Sequence, residues 1–424
     1  MRVLIVNTSE RTGGAAVAAN RLMAALNNNG VKAKMLVRDK QTDSLTVCAL
    51  PRKWKAQWDF LWERLIVWMH LRLRWQNLFA VDIANSGTDI TRLPEFQEAD
   101  IIHLHWVNQG MLSLKDIRRI LDSGKRVVWT MHDIWPATAI CHLTLDCRRF
   151  EQQCSHCRLL PGGGGTGDLA AKTWRRKEKM LDGRRITFVT CSRWLAGEAG
   201  KSGLLKGQQI VNIPNPIDTH IYHPTNKSAA RKALGLPAEG RIILFVSQRA
   251  DNPNKGMQYL TEACRLLAEK DADRFAGTSV AILGGHAEEV ASELPFPTHT
   301  LGYVNDEQRI ATVYNAADVF VLPSLSENLP NTIMEAMACG TPCIGFNIGG
   351  IPEEIDHRDN GYVAEYRSAD DLAAGLRYVL CEADYQTLSH NCTSKVARCW
   401  SQQSVANRYI DVYEQALRPQ TLKR

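Results

Sequence analysis

The stretch from Asp318 to Glu354, DVFVLPSLSENLPNTIMEAMACGTPCIGFNIGGIPEE, leaves few folds open to this chain. Four apolar residues, Val319 to Leu322, stop at Pro323 and read as a short buried strand. A polar loop follows, and a helix opens near Asn331. Glu327 lies in the loop and Glu335 in the helix, eight residues apart, so both carboxylates can face the helix N-terminus. Free backbone N–H groups and the helix dipole meet there and suit phosphate. Carboxylates repel phosphate, so beside it their expected work is binding hydroxyls. A nucleotide sugar has phosphate, ribose hydroxyls and sugar hydroxyls. Taken alone the pair also has a plain reading: a glutamate in a first helical turn complements the dipole.

Similar strand-to-helix units fill the rest of the chain. Arg2 to Asn7 is a strand, and Gly13-Gly14 then opens an alanine-rich helix to about Asn29. A glycine pair there can cradle phosphate or simply allow close strand–helix packing. The spacing is not G-x-G-x-x-G, which disfavours a dinucleotide cofactor. Val31 to Val37 is the second strand. In ADIIHLHW, Ala99 to Trp106, His103 and His105 alternate with apolar residues, so one of them faces the core as a hydrogen-bonded side chain. A helix over 112–123 leads to the strand Arg126 to Met131, which ends at His132-Asp133, where open α/β sheets place ligands. Pro214 to Asp218, PNPID, forms a stiff turn.

Arg241 to Gln248 starts a second sheet. Arg249 and Lys255 follow at its end, before a helix opening near Gly256, and are placed to neutralise a diphosphate. Ser279 to Gly284 is the next strand, and the last third of the chain is largely helical.

Two segments stand outside this alternation. Residues 51–79 carry Trp54, Trp58, Trp62, Trp68 and Trp75 among Lys53, Lys55, Arg64, Arg72 and Arg74. On a helix, Trp54, Trp58, Leu61, Leu65, Trp68 and Met69 share one face. Such a stripe suits either packing against its own domain or peripheral contact with a membrane or a lipid-linked acceptor. The other segment holds Cys141, Cys147, Cys154 and Cys157. Structural zinc on four thiolates, a redox pairing and free thiols are the three readings; a catalytic zinc is disfavoured because four cysteines would close the site.

The 424 residues suffice for two domains of about 200 residues each. A net charge of +6 permits an anionic substrate, and no nucleic-acid motif accompanies it. The opening residues lack the pattern of a signal peptide, and no run of 18 uncharged apolar residues exists. The expected location is the cytoplasm, with the twelve cysteines mostly reduced and peripheral attachment to the inner membrane face left open.

The S-x-x-E loop ending at Glu327, the E-A-M-A helix at Glu335, the C-G-T-P turn from Cys339 and the G-G-I-P-E turn from Gly349 resemble the donor half of the retaining glycosyltransferases of family 4 (glycosyl transferases group 1). Among these, colanic-acid-type enzymes of bacterial surface polysaccharide synthesis are similar to this chain. The resemblance implies an α/β GT-B fold: two Rossmann-like doubly wound parallel-sheet domains facing a central cleft. Residues 1–216 would form the acceptor-side domain, 217–400 the donor domain, and 401–424 a helix crossing back.

The resemblance further implies a hexosyl transfer, retaining and metal-independent, from a UDP- or GDP-sugar to a glycan or lipid-linked glycan. No cofactor is implied for catalysis. His132, in a T-x-H-D position, would contact the transferred sugar, and Glu327 a sugar hydroxyl. Arg249 and Lys255 would meet the diphosphate and Glu335 the ribose. Gly13, Gly14, Gly284, Val304 and the helix opening at Asn331-Thr332 would line the donor. A non-catalytic nucleotide-sugar binder or scaffold is the alternative. One departure stands out: many members have E-G-F-G where this chain has Glu327-Asn328-Leu329-Pro330, and Pro330 has no N–H to offer a sugar hydroxyl.

Overall fold

The computed structural model describes residues 1–418. The described residues form two compact units, one of 1–216 with 405–418, the other of Ile217–Ser404.

The first unit is built on seven parallel strands: β1 (Arg2–Ser9), β2 (Lys32–Asp39), β3 (Val47–Ala49), β4 (Ile101–Leu104), β5 (Arg126–Met131), β6 (Thr187–Thr190) and β7 (Gln209–Asn212). Their order is β3-β2-β1-β4-β5-β6-β7, so the winding reverses between β1 and β4. Alternation along β1 divides the core: Val3 and Ile5 point to one face, Leu4 and Val6 to the other. The first face is covered by Ala19, Leu22 and Leu26 of the helix Gly14–Asn28 and by Val405, Tyr409 and Tyr413 of the helix Gln402–Leu417. The expected final helix thus packs within this unit; residues 419–424 of it lie outside the described residues.

The second unit has six parallel strands: β8 (Arg241–Arg249), β9 (Thr278–Gly285), β10 (Thr298–Thr300), β11 (Val319–Leu322), β12 (Cys343–Phe346) and β13 (Gly361–Ala364). The order is β10-β9-β8-β11-β12-β13, which places the reversal between β8 and β11. Val319 to Leu322 is completely buried, as a strand packed on both faces must be. The strands that were expected fall within two residues of their observed limits. Strands β3, β10, β12 and β13 were not expected: each has only three or four residues, too few for periodicity to mark them.

The tryptophan-rich segment differs most from a packing helix. Its helix runs Lys53–His70, and the turns beyond it hold Arg72, Leu73 and Asn77 at positive φ. The inner side carries Asp59, Glu63 and Arg64, all buried, with Ala56 and Val67. Glu63 accepts backbone N–H bonds from Ile83 at 3.0 Å, Ala84 at 2.6 Å and Gly110 at 3.0 Å. Arg64 donates to the carbonyls of Leu78 at 2.6 Å and Val81 at 3.1 Å and to Asp82 at 3.1 Å. Asp59 receives Ser86 Oγ at 2.6 Å and Lys55 Nζ at 2.6 Å. Burying these charged groups is tolerable only because each is hydrogen-bonded. They fix the rotation of the helix, and that rotation turns Trp54, Trp58, Leu61, Trp62, Leu65 and Met69 outward. Trp68 alone of the helix tryptophans packs partly on the core.

Candidate active site

Open parallel sheets bind ligands beyond the strand C-termini, where the winding reverses. In the second unit this is the crevice between β8 and β11, and a charged pair occupies it. Lys255 follows β8, Glu327 follows β11, and Lys255 Nζ lies 2.5 Å from Glu327 Oε1. The lysine's position depends on Gly256, whose φ is 74° and whose Cβ would stand 1.9 Å from the Pro323 carbonyl oxygen. Only glycine lets this turn lie against the end of β11. Leu325 N–H donates to the Asn254 carbonyl at 2.8 Å and ties the two loops together.

The helix Asn331–Ala338 starts beside this pair, with Pro330 at its N-cap and no capping side chain. Asn331 and Thr332 form its first turn. One turn further on, Glu335 is buried and accepts the Tyr314 hydroxyl at 3.1 Å. Burial and the Glu335 charge hold the Tyr314 phenol well above its usual range, so it stays a donor. Gly284, at the end of β9, donates its N–H to the Gly302 carbonyl at 2.8 Å, which brings it to the turn carrying Val304. Arg249 is exposed and doubly bonded to Asp251, at 3.0 and 2.7 Å. Its guanidinium is therefore engaged by a carboxylate two residues on. Asp251, His286 and Glu289 are the one group of three among the described residues whose ligand atoms lie within 4.8 Å of one another.

In the first unit, Gly13 and Gly14 follow β1 at the reversal point and are exposed. Gly13 has φ 89° and caps the helix with its carbonyl alone, accepting from Ala16 and Val17 at 3.1 Å. His132 follows β5. Its Nε2 lies 2.9 Å from His105 Nδ1, and its Nδ1 is 3.5 Å from Cys191 Sγ. His105 Nε2 is buried without a partner. A proton there would be an orphan donor, so it belongs on His105 Nδ1, which then donates to His132 Nε2. His132 accordingly keeps its own proton on Nδ1. Burial pushes His132 down to about 4 against the opposing charge of Asp133, so the ring is neutral at neutral pH.

The support extends outward from there. His103, also neutral and pushed down by burial to about 3, bonds Thr130 Oγ1 at 2.8 Å and Tyr413 Oη at 2.7 Å. Asp133 accepts from Trp106 Nε1 at 2.9 Å and Trp135 N–H at 2.8 Å, and its Oδ2 lies 2.8 Å from His142 Nδ1. Burial lowers the His142 ring, but Asp133 more than offsets this and leaves it above its ordinary value. Sequence reasoning read His103 and His105 only as core candidates and assigned nothing to Asp133, Trp106 or Tyr314. The available signal was the H-x-H alternation on a strand beside the one that ends in His132.

The residues 12–221 match the family described as Glycosyltransferase Family 4, and residues 240–382 match Glycosyl transferases group 1. The chain belongs to the glycosyltransferases of family 4, group 1. An uncharacterized glycosyltransferase of Methanocaldococcus jannaschii is 24% identical over 369 residues, covering 81% of this chain and 91% of the relative. D-inositol 3-phosphate glycosyltransferase 2 of Catenulispora acidiphila is 30% identical over 224 residues, 49% of this chain and 51% of that protein. The chain thus spans about half the length of several curated relatives it matches. Among solved structures, sucrose-phosphate synthase from Thermosynechococcus elongatus aligns with a TM-score of 0.66 at 18% identity over 98% of both chains. The Anabaena protein HepE, in complex with UDP and glucose, aligns with a TM-score of 0.62 at 15% identity over 98% of this chain and all of its own. Each of these glycosyltransferase units has its own Rossmann-like parallel sheet, as the GT-B expectation requires.

The four cysteines of the cluster, Cys141, Cys147, Cys154 and Cys157, are free thiols, with Cys154 buried and the other three half-buried. A zinc ion on four thiolates needs sulfurs roughly 3.8 Å apart. Among the described residues, no three of Cys141, Cys147, Cys154 and Cys157 bring their sulfurs within 4.8 Å of one another. Burial pushes the Cys141 thiol up to about 11 and the Cys154 thiol up to about 12. Beneath them, Lys177 is buried and donates to the carbonyls of Trp135 at 2.6 Å and Thr138 at 3.0 Å. No helix of the described residues is long and apolar enough to cross a membrane.

Proposed function

We propose that this glycosyltransferase moves a hexosyl group from a nucleoside diphosphate sugar to a hydroxyl of a glycan or lipid-linked glycan, with retention at the anomeric carbon. The observation that carries this reading is the Lys255–Glu327 pair at the winding reversal of the second unit, with Glu335 one turn into the adjacent helix. A partly exposed ion pair is held weakly, so a diphosphate can take over the lysine at small cost. Lys255 then neutralises charge on the departing diphosphate, with the positive end of the dipole of the helix Asn331–Ala338 assisting. Arg249 joins it by exchanging Asp251 for phosphate.

Glu327, released from Lys255, accepts a hydroxyl of the donor sugar. Glu335 accepts ribose hydroxyls, oriented by Tyr314. Gly284 and the turn at Val304 border the nucleoside, and Gly13 and Gly14 serve the phosphate side. His132 contacts the transferred sugar. The acceptor oxygen forms its bond to the anomeric carbon on the face from which the diphosphate leaves. The bond from that carbon to phosphate oxygen breaks, and the acceptor proton passes to the departing phosphate. Side-chain cations take the charge-neutralising role in this reaction. That HepE binds UDP and glucose supports a uridine nucleotide as the first donor to try, and the resemblance to colanic-acid-type enzymes supports a surface polysaccharide acceptor.

The test is a panel of UDP- and GDP-sugars incubated with the pure protein, scored by nucleotide release and thermal shift. Stabilisation by one nucleotide with slow hydrolysis of one of its sugars is expected. Binding without any turnover, with or without glycan acceptors, points to a non-catalytic binder. No response to any nucleotide overturns the donor-site assignment.

A further inference from the structure

The helix Lys53–His70 and the turns after it present an apolar face that nothing in the described structure covers. Trp54 is 64% exposed, Trp58 65%, Trp62 50% and Trp75 75%, and Leu61, Leu65, Met69, Leu73 and Phe79 are exposed with them. On the helix, Trp54, Trp58, Leu61, Trp62, Leu65 and Met69 stand at positions i, i+4, i+7, i+8, i+11 and i+15, one continuous stripe about 23 Å long. Single exposed apolar residues are ordinary; a contiguous stripe of tryptophans is not. The stripe is no accident of loose packing. The opposite side of the helix is pinned by Asp59, Glu63 and Arg64 through buried hydrogen bonds, so the helix cannot roll its tryptophans inward without stranding those charges.

Charge identifies what the face fits. Between Pro51 and Val81 the exposed charged side chains are Arg52, Lys53, Arg72 and Arg74. The acidic residues of that segment are Asp59 and Glu63, and both are turned inside. The outer surface is therefore tryptophan, aliphatic and cationic, with no exposed carboxylate. Tryptophan sits with its ring at the headgroup level of a bilayer and its N–H in water, and arginine or lysine beside it reaches anionic headgroups.

We propose that this face is a docking surface for an anionic lipid bilayer, on which the helix Lys53–His70 lies flat in the interface without spanning it. The proposal stands apart from the glycosyl-transfer reading, because it rests on residues none of which is assigned to the donor. The occupant is the headgroup region of a bilayer rather than a second copy of the chain. Four like charges on one small face would confront themselves in a symmetric dimer.

The experiment is flotation of the full chain with vesicles of phosphatidylcholine alone and of phosphatidylcholine with phosphatidylglycerol. Binding is expected to the anionic vesicles, with a blue-shifted tryptophan emission and a steep loss on adding salt. The triple variant Trp54→Ser, Trp58→Ser, Trp62→Ser is expected to bind at least tenfold more weakly while melting at the wild-type temperature, since all three side chains are exposed. The variant Arg72→Gln, Arg74→Gln is expected to lose the preference for anionic vesicles. The proposal is overturned if the wild type stays with the unbound protein in both vesicle types. It is equally overturned if the triple variant floats as well as the wild type, or if the tryptophans instead support a concentration-dependent dimer in solution.

Discussion

His105 Nδ1 and His132 Nε2 are 2.9 Å apart, so the imidazole at the end of β5 is oriented by a second imidazole on β4. A ring held in this way presents one tautomer, with the His132 proton on Nδ1.

His105→Ala removes that support and lets His132 rotate. Nucleotide release from the active donor is expected to fall by ~10- to 100-fold in kcat with little change in KM. His105→Asn, whose amide can occupy the Nδ1 position, is expected to recover part of the loss. Equal kcat in the wild type and the alanine variant would show that His105 does not act through His132.

Lys255→Ala withdraws the cation nearest the β8–β11 crevice. Turnover is expected to fall by ~100- to 1,000-fold, with weaker nucleoside diphosphate binding measured by calorimetry. Glu327→Gln is expected to lower turnover while nucleoside diphosphate affinity stays close to wild type. Weakened binding in the first variant and wild-type binding in the second, measured by calorimetry, separate the diphosphate role from the sugar role.

Tyr314→Phe deletes the hydroxyl that donates to Glu335 at 3.1 Å. A buried hydrogen bond of this kind contributes about 1–2 kcal/mol, and its loss leaves the carboxylate without that donor. Chemical denaturation is the direct measurement. Nucleoside binding is expected to weaken by several-fold, and an unchanged affinity would detach Glu335 from the ribose.

Gly256→Ala adds a Cβ 1.9 Å from the Pro323 carbonyl at φ 74°, so both strain and collision oppose it. The expected cost is about 2–4 kcal/mol. Gly235→Ala is the control: φ is 67°, but nothing lies within 4 Å of the added carbon. A melting temperature several degrees lower in the first variant, and nearer wild type in the second, isolates the collision from the strain.

Acid stability follows from the buried imidazoles. Burial pushes His103 down to about 3 and His132 down to about 4, whereas an imidazole in the unfolded chain titrates near 6.5. Below about 6.5 the unfolded chain takes up protons that the folded chain refuses. The stabilising contribution is therefore complete above that pH and is lost as pH falls through 4. His142 works in the opposite sense, since Asp133 leaves it above its ordinary value. Melting curves at pH 7.5 and 5 are expected to show a drop that His103→Gln diminishes. A variant with the same drop as the wild type would contradict this.

Much of this architecture was legible in the residues. Val319 to Leu322 announces a buried strand by its unbroken apolar run, and Gly256 announces a turn that only glycine can make. Strand β3 was not legible, because an edge pairing of three residues is set by its neighbour rather than by its own pattern. The approach of Lys255 to Glu327 was not legible either. Each was singled out separately, and 72 residues of chain separate them. The orientation of the tryptophan stripe was hidden for a different reason. Periodicity shows that two faces differ, and only the partners of Asp59, Glu63 and Arg64 decide which one goes inside.

Those three side chains give the helix Lys53–His70 an unusual division of labour. These three side chains grip the loops at 78–86 and Gly110 from the inner side, so the outer side is cladding that can be exchanged without touching the frame beneath. Replacing the outer tryptophans by serine or glutamine is expected to yield a freely diffusing form of the same enzyme. Surface adhesion and sugar chemistry then become two independently adjustable properties of one chain.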